Sequence, residues 1–326
     1  MRIEDEGNQV LNSQILSVFS ANELEKVEFP PIRWILPDLL PEGLAMLAGK
    51  PKKGKSWMAL NIAIATATGG VALGKKIEPG KVLYLALEDG HRRIKDRVKK
   101  LLPPDEKFPK NLYFVDAAKF PRFNNGGLEM LLKWLDANPE TRLVVIDTLG
   151  RVMPQQGRTS NQYQHEYDFL TLLQKEAVSR CICILLIHHT RKMPSADPFD
   201  TVSGTLGVTA ALDTMLVLMD SPSNRAAAIL YASGREIDLQ EFALKFDRGI
   251  WSLLGNALDY TAQETRSKIL VFLRDGTHQA PRNIATATGL SPNVIYQQLH
   301  RLKGDGILQQ DSQGRYLLKE PKKIIT

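Results

Sequence analysis

The chain has 326 residues, 43% of them hydrophobic and 24% charged, the mixture of an ordinary globular protein. Two cysteines, Cys181 and Cys183, exclude a disulfide scaffold and a four-thiolate zinc site within one chain. No apolar run approaches the ~18–20 residues that span a membrane, and Met1–Glu6 is acidic without the apolar core of a signal peptide, so a reducing cytoplasm is the expected compartment. The net charge is +6, and residues 261–326 carry ten basic against five acidic side chains, so nearly all of the excess lies at the C-terminal end. That asymmetry points to two parts with different partners, and a basic part admits nucleic acid.

In chain order, residues 1–30 read as a polar arm or short helix, ended by Pro30-Pro31, and Trp34–Pro41 as an extended lead-in. Leu44–Ala48 is a short apolar run stopped by Gly49, a buried strand, and 55–69 has helical periodicity with Trp57, Leu60 and Ile64 on one face. Val82–Leu87 is a second buried strand, followed by a basic helix over 90–102. A weak strand at Leu112–Val115, a helix over 127–137, a strand at Leu143–Ile146 and a long helix over 160–179 come next. Cys181–Ile187 reads as a strand with both cysteines in the core, followed by His188-His189. Leu212–Met219 and Ala226–Ser233 are further strands, and Phe242–Phe246 with Ile250–Leu254 a hairpin. Strands alternating with helices imply a mainly parallel sheet, and uninterrupted apolar runs imply strands covered on both faces. On such sheets ligands bind beyond the carboxyl ends of the strands.

The residues that carry chemistry follow those strand ends. Gly49-Lys50-Pro51-Lys52-Lys53-Gly54-Lys55-Ser56 fits the phosphate loop G-x-x-x-x-G-K-S/T at every fixed position, between a strand and a helix. Its glycines let backbone N–H groups face phosphate oxygens, and the next helix adds its positive end. Lys55 is expected on the β- and γ-phosphates of ATP and Ser56 on Mg²⁺, with Gly49 to Trp57 forming the nucleotide-binding segment. Asp147, closing an apolar strand, is the expected second Mg²⁺ holder. No Glu follows it; Thr148 stands there, so the general base falls to Glu88 in Leu85-Ala86-Leu87-Glu88-Asp89-Gly90, with Asp89 free to cap the following helix. Phe120, Arg122 and Phe123 form a small basic and aromatic cluster, read as a loop anchor or a nucleic-acid contact.

Four stretches in order, GKPKKGKSWMALNIAIATATGG, VLYLALEDGHRRIKDRV, LVVIDTLGRV and ILLIHHTRK, resemble the RecA-like ATPases of the plasmid replicative helicase RepA type over roughly residues 32–255. The resemblance implies a ring, usually a hexamer, with ATP between subunits. It assigns Lys55 and Ser56 to phosphate and magnesium, Glu88 to catalysis, Asp147 to magnesium, His188 and His189 to the sensor and Arg97 to the nucleotide. The family's trans-acting Arg precedes a Gly-Ser pair. Here Ser203–Thr209 has no Arg at that place, Leu206 standing there. Arg235 is the replacement considered, with Arg191 and Lys192 as further possibilities.

The C-terminal end reads as three helices and a β-hairpin, a pattern that resembles a winged helix. Val294, Ile295, Leu299 and Leu302 are its expected core positions, and Asn293, Tyr296, Gln297, His300, Arg301 and Arg315 its expected DNA contacts. The expected organisation is an arm (1–30), an α/β RecA-like P-loop ATPase domain (31–256), a linker (257–263), a winged helix (264–319) and a basic tail (320–326). The expected protein is a homo-oligomeric ATPase acting on DNA, single-stranded in the ring and duplex at the winged helix, as a helicase or as a non-unwinding regulator or loader.

Overall fold

A computed structural model of the chain describes residues 18–153, 162–191, 195, 197–202, 210–221 and 226–319. It divides into two units, Met1–Ile32 and Arg33–Thr326. In the first, the described residues hold one short helix, α1 (Ala21–Leu24), opened by a capping box in which Ser20 and Glu23 satisfy each other's backbone N–H groups.

The second unit is built on a nine-stranded sheet. Its strands are β3 (Gly43–Gly49), β6 (Lys81–Ala86), β7 (Leu112–Phe114), β8 (Thr141–Asp147), β9 (Cys183–His189), β10 (Thr214–Asp220), β11 (Ala228–Gly234), β12 (Gln240–Asp247) and β13 (Ile250–Asn256). Short pairs β1 (Trp34–Leu36) with β2 (Leu40–Pro41), and β4 (Val71–Ala72) with β5 (Lys75–Lys76), lie outside it. The order across the sheet is β13-β12-β11-β10-β3-β9-β8-β6-β7. From β10 to β7 the neighbours are parallel, and β10 to β13 form an antiparallel meander. One strand, β9, therefore separates the phosphate-loop strand β3 from β8.

The parallel strands other than the edge strand β7 are largely buried on both faces, and alternate residues feed two cores. Ala45, Leu47, Val82, Tyr84, Val145, Leu185 and Ile187 pack with α2 (Lys55–Thr68) and α3 (His91–Leu101). Leu44, Met46, Leu83, Leu85, Ile146 and Leu186 pack with α4 (Gly127–Asp136), the short α5 (Leu149–Val152) and α6 (Gln162–Ser179). This two-sided burial is why the strands read as unbroken apolar runs. Cys183 joins the first core, where burial pushes its thiol well above the usual range, so it is an inert core residue. Cys181 is not on the strand: it turns into it with φ of 51°.

The last part of the chain holds helices Ala257–Phe272, Pro281–Thr288 and Pro292–Gly304, then a hairpin of β14 (Leu308–Gln310) and β15 (Tyr316–Leu318). The linker expected at 257–263 is instead the opening of the first of these helices, which continues from β13 without a break. Ile269, Leu273, Ile284, Ile295, Leu299, Leu302, Leu308 and Tyr316 form a separate small core. Val294, expected inside, is 37% exposed. An isolated bridge pairs Gln279 with Tyr316, tying the segment between the first two helices to the hairpin. The basic tail expected at 320–326 lies outside the described residues.

Candidate nucleotide site

Gly49 closes β3 beside β10, where a Cβ would stand 2.8 Å from the Leu218 carbonyl oxygen. The loop then turns through Lys52 at φ 63° and Gly54 at φ 87°, a conformation that favours glycine, and α2 begins at Lys55. Lys55 is 5% exposed. Its Nζ donates to the carbonyl oxygens of Gly49 (2.7 Å) and Lys50 (2.8 Å) and lies 3.3 Å from His189 Nδ1. Burial holds the ammonium down at about 8, against the pull of Asp147 and Glu88. At neutral pH this leaves a charged, poorly solvated cation at the mouth of the loop, a strong attractor for phosphate oxygens. Lys50 and Lys53 both pair with Asp220 at the end of β10, whose carboxyl the Lys53 contact holds below its ordinary range.

Asp147 closes β8 at 5% exposure, so burial raises its carboxyl. Two hydrogen bonds oppose that rise, one with the Ser56 side chain and one donated by Tyr84 Oη at 2.9 Å. Ser56 and Asp147 thus bring two hard oxygen donors together at the root of α2. This set fits Mg²⁺, which keeps several waters and takes one or two protein oxygens plus phosphate oxygens. Among the described residues no cluster of three or more His, Cys, Asp or Glu side chains offers a self-sufficient metal site.

Glu88 is exposed at the end of β6, and its Oε1 accepts a hydrogen bond from Thr148 Oγ1 at 3.0 Å. Asp89 does not cap α3 with its side chain. The N-cap is Gly90, and Asp89 instead pairs with Arg93 at 3.1 Å and with Arg97. Arg97 also lies 5.3 Å above the Trp57 ring. Lys55, Ser56, Trp57, Glu88, Arg97, Asp147 and His189 line one cleft of about 390 Å³ at the carboxyl edge of the sheet. It is large enough for the triphosphate end of a nucleotide.

Not every expected residue reaches it. His188 and His189 are the last two residues of β9 rather than a loop after it. Adjacent strand residues face opposite ways, so His189 enters the cleft and His188 is turned to the α6 face. Arg235 follows β11 at the amino-terminal edge of the parallel strands, because Gly234 pairs with Thr214 and Thr214 with Ala45. There its guanidinium meets Asp213 at 3.1 Å, one strand length from the phosphate loop. Asp213 also accepts from Leu44 N and Gln174 Nε2, so Arg235 completes a pin across the bottom of the sheet. Arg191 follows β9, its backbone N–H bonded to the Thr201 carbonyl. Lys192 and Ser203–Thr209 lie outside the described residues. Phe123 is buried and Arg122 donates to the carbonyls of Gly150 and Met153, so the Phe120–Phe123 cluster anchors the segment after β8.

Residues 12–195 match a sequence family described as the AAA domain, more than half of the chain. The chain belongs to the AAA domain family. A KaiC-like protein from the hyperthermophilic archaeon Pyrococcus horikoshii OT3 resembles it in structure at 15% identity and a TM-score of 0.48, over 68% of this chain and 99% of that one. A comparison with curated proteins finds no match. As an AAA domain with its phosphate loop on a central strand of a mostly parallel sheet, the chain is a P-loop ATPase, a family that implies nucleotide as the ligand.

Sequence reasoning did not reach Tyr84, whose hydroxyl holds the Asp147 carboxylate in this AAA domain. The available signal was a single polar-tipped ring in the apolar run Val82–Leu87. Tyr84→Phe keeps the ring and removes one donor from a buried carboxylate whose pKa is already raised. The Mg²⁺ concentration for half-maximal nucleotide binding is expected to rise roughly three- to tenfold. The rise should be larger at pH 6 than at pH 8, because protons compete with the metal for Asp147. Magnesium titrations at the two pH values check it; an unchanged midpoint at both removes Tyr84 from the site.

Proposed function

We propose that the protein is a ring-forming ATPase motor acting on DNA, of the RepA helicase type, hydrolysing ATP between subunits. The observation that carries this is one continuous path of chain. Trp251, near the start of β13, touches the phosphate loop, and β13 runs directly into the first helix of the basic C-terminal part. A nucleotide site and a nucleic-acid surface joined by one strand is what a DNA-dependent ATPase requires.

We read the C-terminal part as a winged helix, on its order of three helices and a hairpin and on the Gln279–Tyr316 bridge. Asn293, Tyr296, Gln297, His300 and Arg301 all lie on the exposed side of helix Pro292–Gly304, opposite buried Ile295, Leu299 and Leu302. Arg315 is exposed on the hairpin, paired with Asp311 at 2.8 Å. Polar and basic side chains gathered on one helix face suit base edges and phosphates.

In the reaction, Glu88 would take the proton of the water that attacks the γ-phosphate, giving ADP and inorganic phosphate. Lys55 would neutralise charge on the phosphate oxygens, and His189, beside Lys55, would sense whether the γ-phosphate is present. Ser56 and Asp147 would hold Mg²⁺, which would supply charge neutralisation to the phosphates when bound. A basic side chain from the neighbouring subunit completes the site; Arg235, Arg191 and Lys192 are the residues to vary first. For Arg235 the role requires that the bottom edge of one subunit face the cleft of the next.

Steady-state ATPase assays with and without single-stranded DNA, at two salt concentrations, test this reading. Stimulation by DNA that weakens at higher salt supports a DNA-driven motor, since phosphate contacts are salt-dependent. Turnover indifferent to DNA overturns it and favours a nucleotide-controlled regulator or loader. Strand displacement then separates a helicase from an ATPase that binds DNA without unwinding it.

A further inference from the structure

The carbonyl of Gly54 has an unexpected holder. Trp251, on the second strand of the β12–β13 hairpin, donates its indole Nε1–H to Gly54 O at 3.0 Å. Trp251 is 4% exposed, its ring packs at a tilt of 41° against Phe246 with centroids 4.6 Å apart, and it lies so close that a Cβ on Gly54 would stand 2.9 Å from it. Asn61, two turns into α2, fastens the hairpin from the other side. Its Oδ1 accepts from Trp251 N at 3.1 Å and its Nδ2 donates to Gly249 O at 3.1 Å. The turn itself, Arg248 at φ 48° and Gly249 at φ 96°, is the tight two-residue kind that needs positive φ at both positions. Gly249 is also required by space: a Cβ there would stand 2.7 Å from the Trp57 ring.

We infer that Trp251 is a positioning residue for the phosphate loop, and that the β12–β13 hairpin is a clamp that keeps the loop's backbone aimed at the nucleotide. In a trans peptide the C=O and the next N–H point in opposite directions. Holding Gly54 O toward the indole therefore aims Lys55 N–H away from it, into the cleft that Gly54, Lys55 and Ser56 line. Nothing in the loop's own sequence secures that orientation. Gly54 is in the left-handed region and has no side chain to cap α2, and the only other donor to Gly54 O among the described residues is Met58 N, at 3.0 Å. Without Trp251 the first turn of α2 still forms, but the peptide before it gains freedom that nucleotide binding must then remove.

This inference rests on nucleotide binding at the phosphate loop. The test is binding of fluorescent ADP and ATP analogues to the full chain, wild type beside Trp251→Phe and Asn61→Ala, with melting temperatures recorded. Trp251→Phe keeps a six-membered ring against Phe246 and removes the donor together with the five-membered part of the indole, so the melting temperatures report the packing lost with it. The expected result is a Kd raised roughly three- to tenfold, by the same factor for the diphosphate and the triphosphate, since loop N–H groups serve the β-phosphate in both. Turnover at saturating ATP should change by less than about twofold, because Glu88 and Asp147 are untouched. Asn61→Ala should shift Kd in the same direction, and it decides the question if the first variant does not fold. Folded variants that bind both nucleotides like wild type overturn the inference, even if their melting temperatures fall. A wild-type chain that binds neither nucleotide overturns the ATPase reading, and the inference with it.

Discussion

Glu88→Gln is expected to lower steady-state ATP turnover by about 10²- to 10⁴-fold while ATP and ADP still bind. The substitution keeps size and shape and removes an exposed carboxylate at the cleft mouth suited to accept a proton. Asp147 is committed to the Ser56 and Tyr84 hydroxyls, and Asp89 to Arg93 and Arg97. Glu88 has a lighter engagement, a single hydrogen bond from Thr148. That bond orients the carboxylate without supplying a counter-charge. Asp89→Asn makes an informative contrast. It loosens Arg97 from its partner beside Trp57, so it should raise the nucleotide Kd more than it lowers turnover. Retained turnover in Glu88→Gln, within about threefold of wild type, would place the base elsewhere. A large loss in both Kd and turnover would recast Glu88 as a binding residue.

The split between these two neighbouring carboxylates shows what the sequence could and could not convey. The phosphate loop was legible because its chemistry is local: two glycines, a lysine and a serine at fixed spacing, after a run stopped by Gly49. The sheet was legible because strands buried on both faces leave continuous apolar runs such as Leu143–Ile146. Asp89 beside α3 invited a capping role from its position, but its side chain found two arginines one and two turns along the helix instead. His188 and His189 looked equivalent in a string of letters, and strand alternation separates them. Arg235 followed a late strand, yet the direction of β11 depends on a meander that only pairing reveals, and that direction carries it to the far edge. Trp251 was the least accessible of all. It lies 197 residues from its partner Gly54, and nothing near it in sequence marks it as part of a nucleotide site.

Lys55→Met is expected to separate stability from function with opposite signs. With nucleotide, the wild type gains stability by about 2.7 kcal/mol at a ligand concentration of 100 Kd. The variant should lose that gain, and turnover should fall by about 10²- to 10³-fold or more, as for removal of a central electrostatic stabiliser. Without nucleotide the order should reverse. Burial holds the Lys55 ammonium down at about 8, from 10.5, so folding works against its charge. Methionine fills similar volume with no charge to desolvate, at the cost of leaving the Gly49 and Lys50 carbonyls without this donor. The nucleotide-free variant should therefore melt at or above the wild-type temperature at pH 7. The pH dependence identifies the cause. Between pH 8 and 10.5 the unfolded wild type keeps the Lys55 proton that the folded state has released, so wild-type stability rises with pH across that window. The variant has no such group, and its advantage should shrink from pH 7 to pH 10. Thermal melts at both pH values, with and without ADP, decide it. A variant that melts well below wild type at pH 7 and gains nothing relative to it would mean that the lysine's hydrogen bonds outweigh the cost of burying its charge. The loop would then be held together by the same cation that attracts phosphate, rather than strained by it.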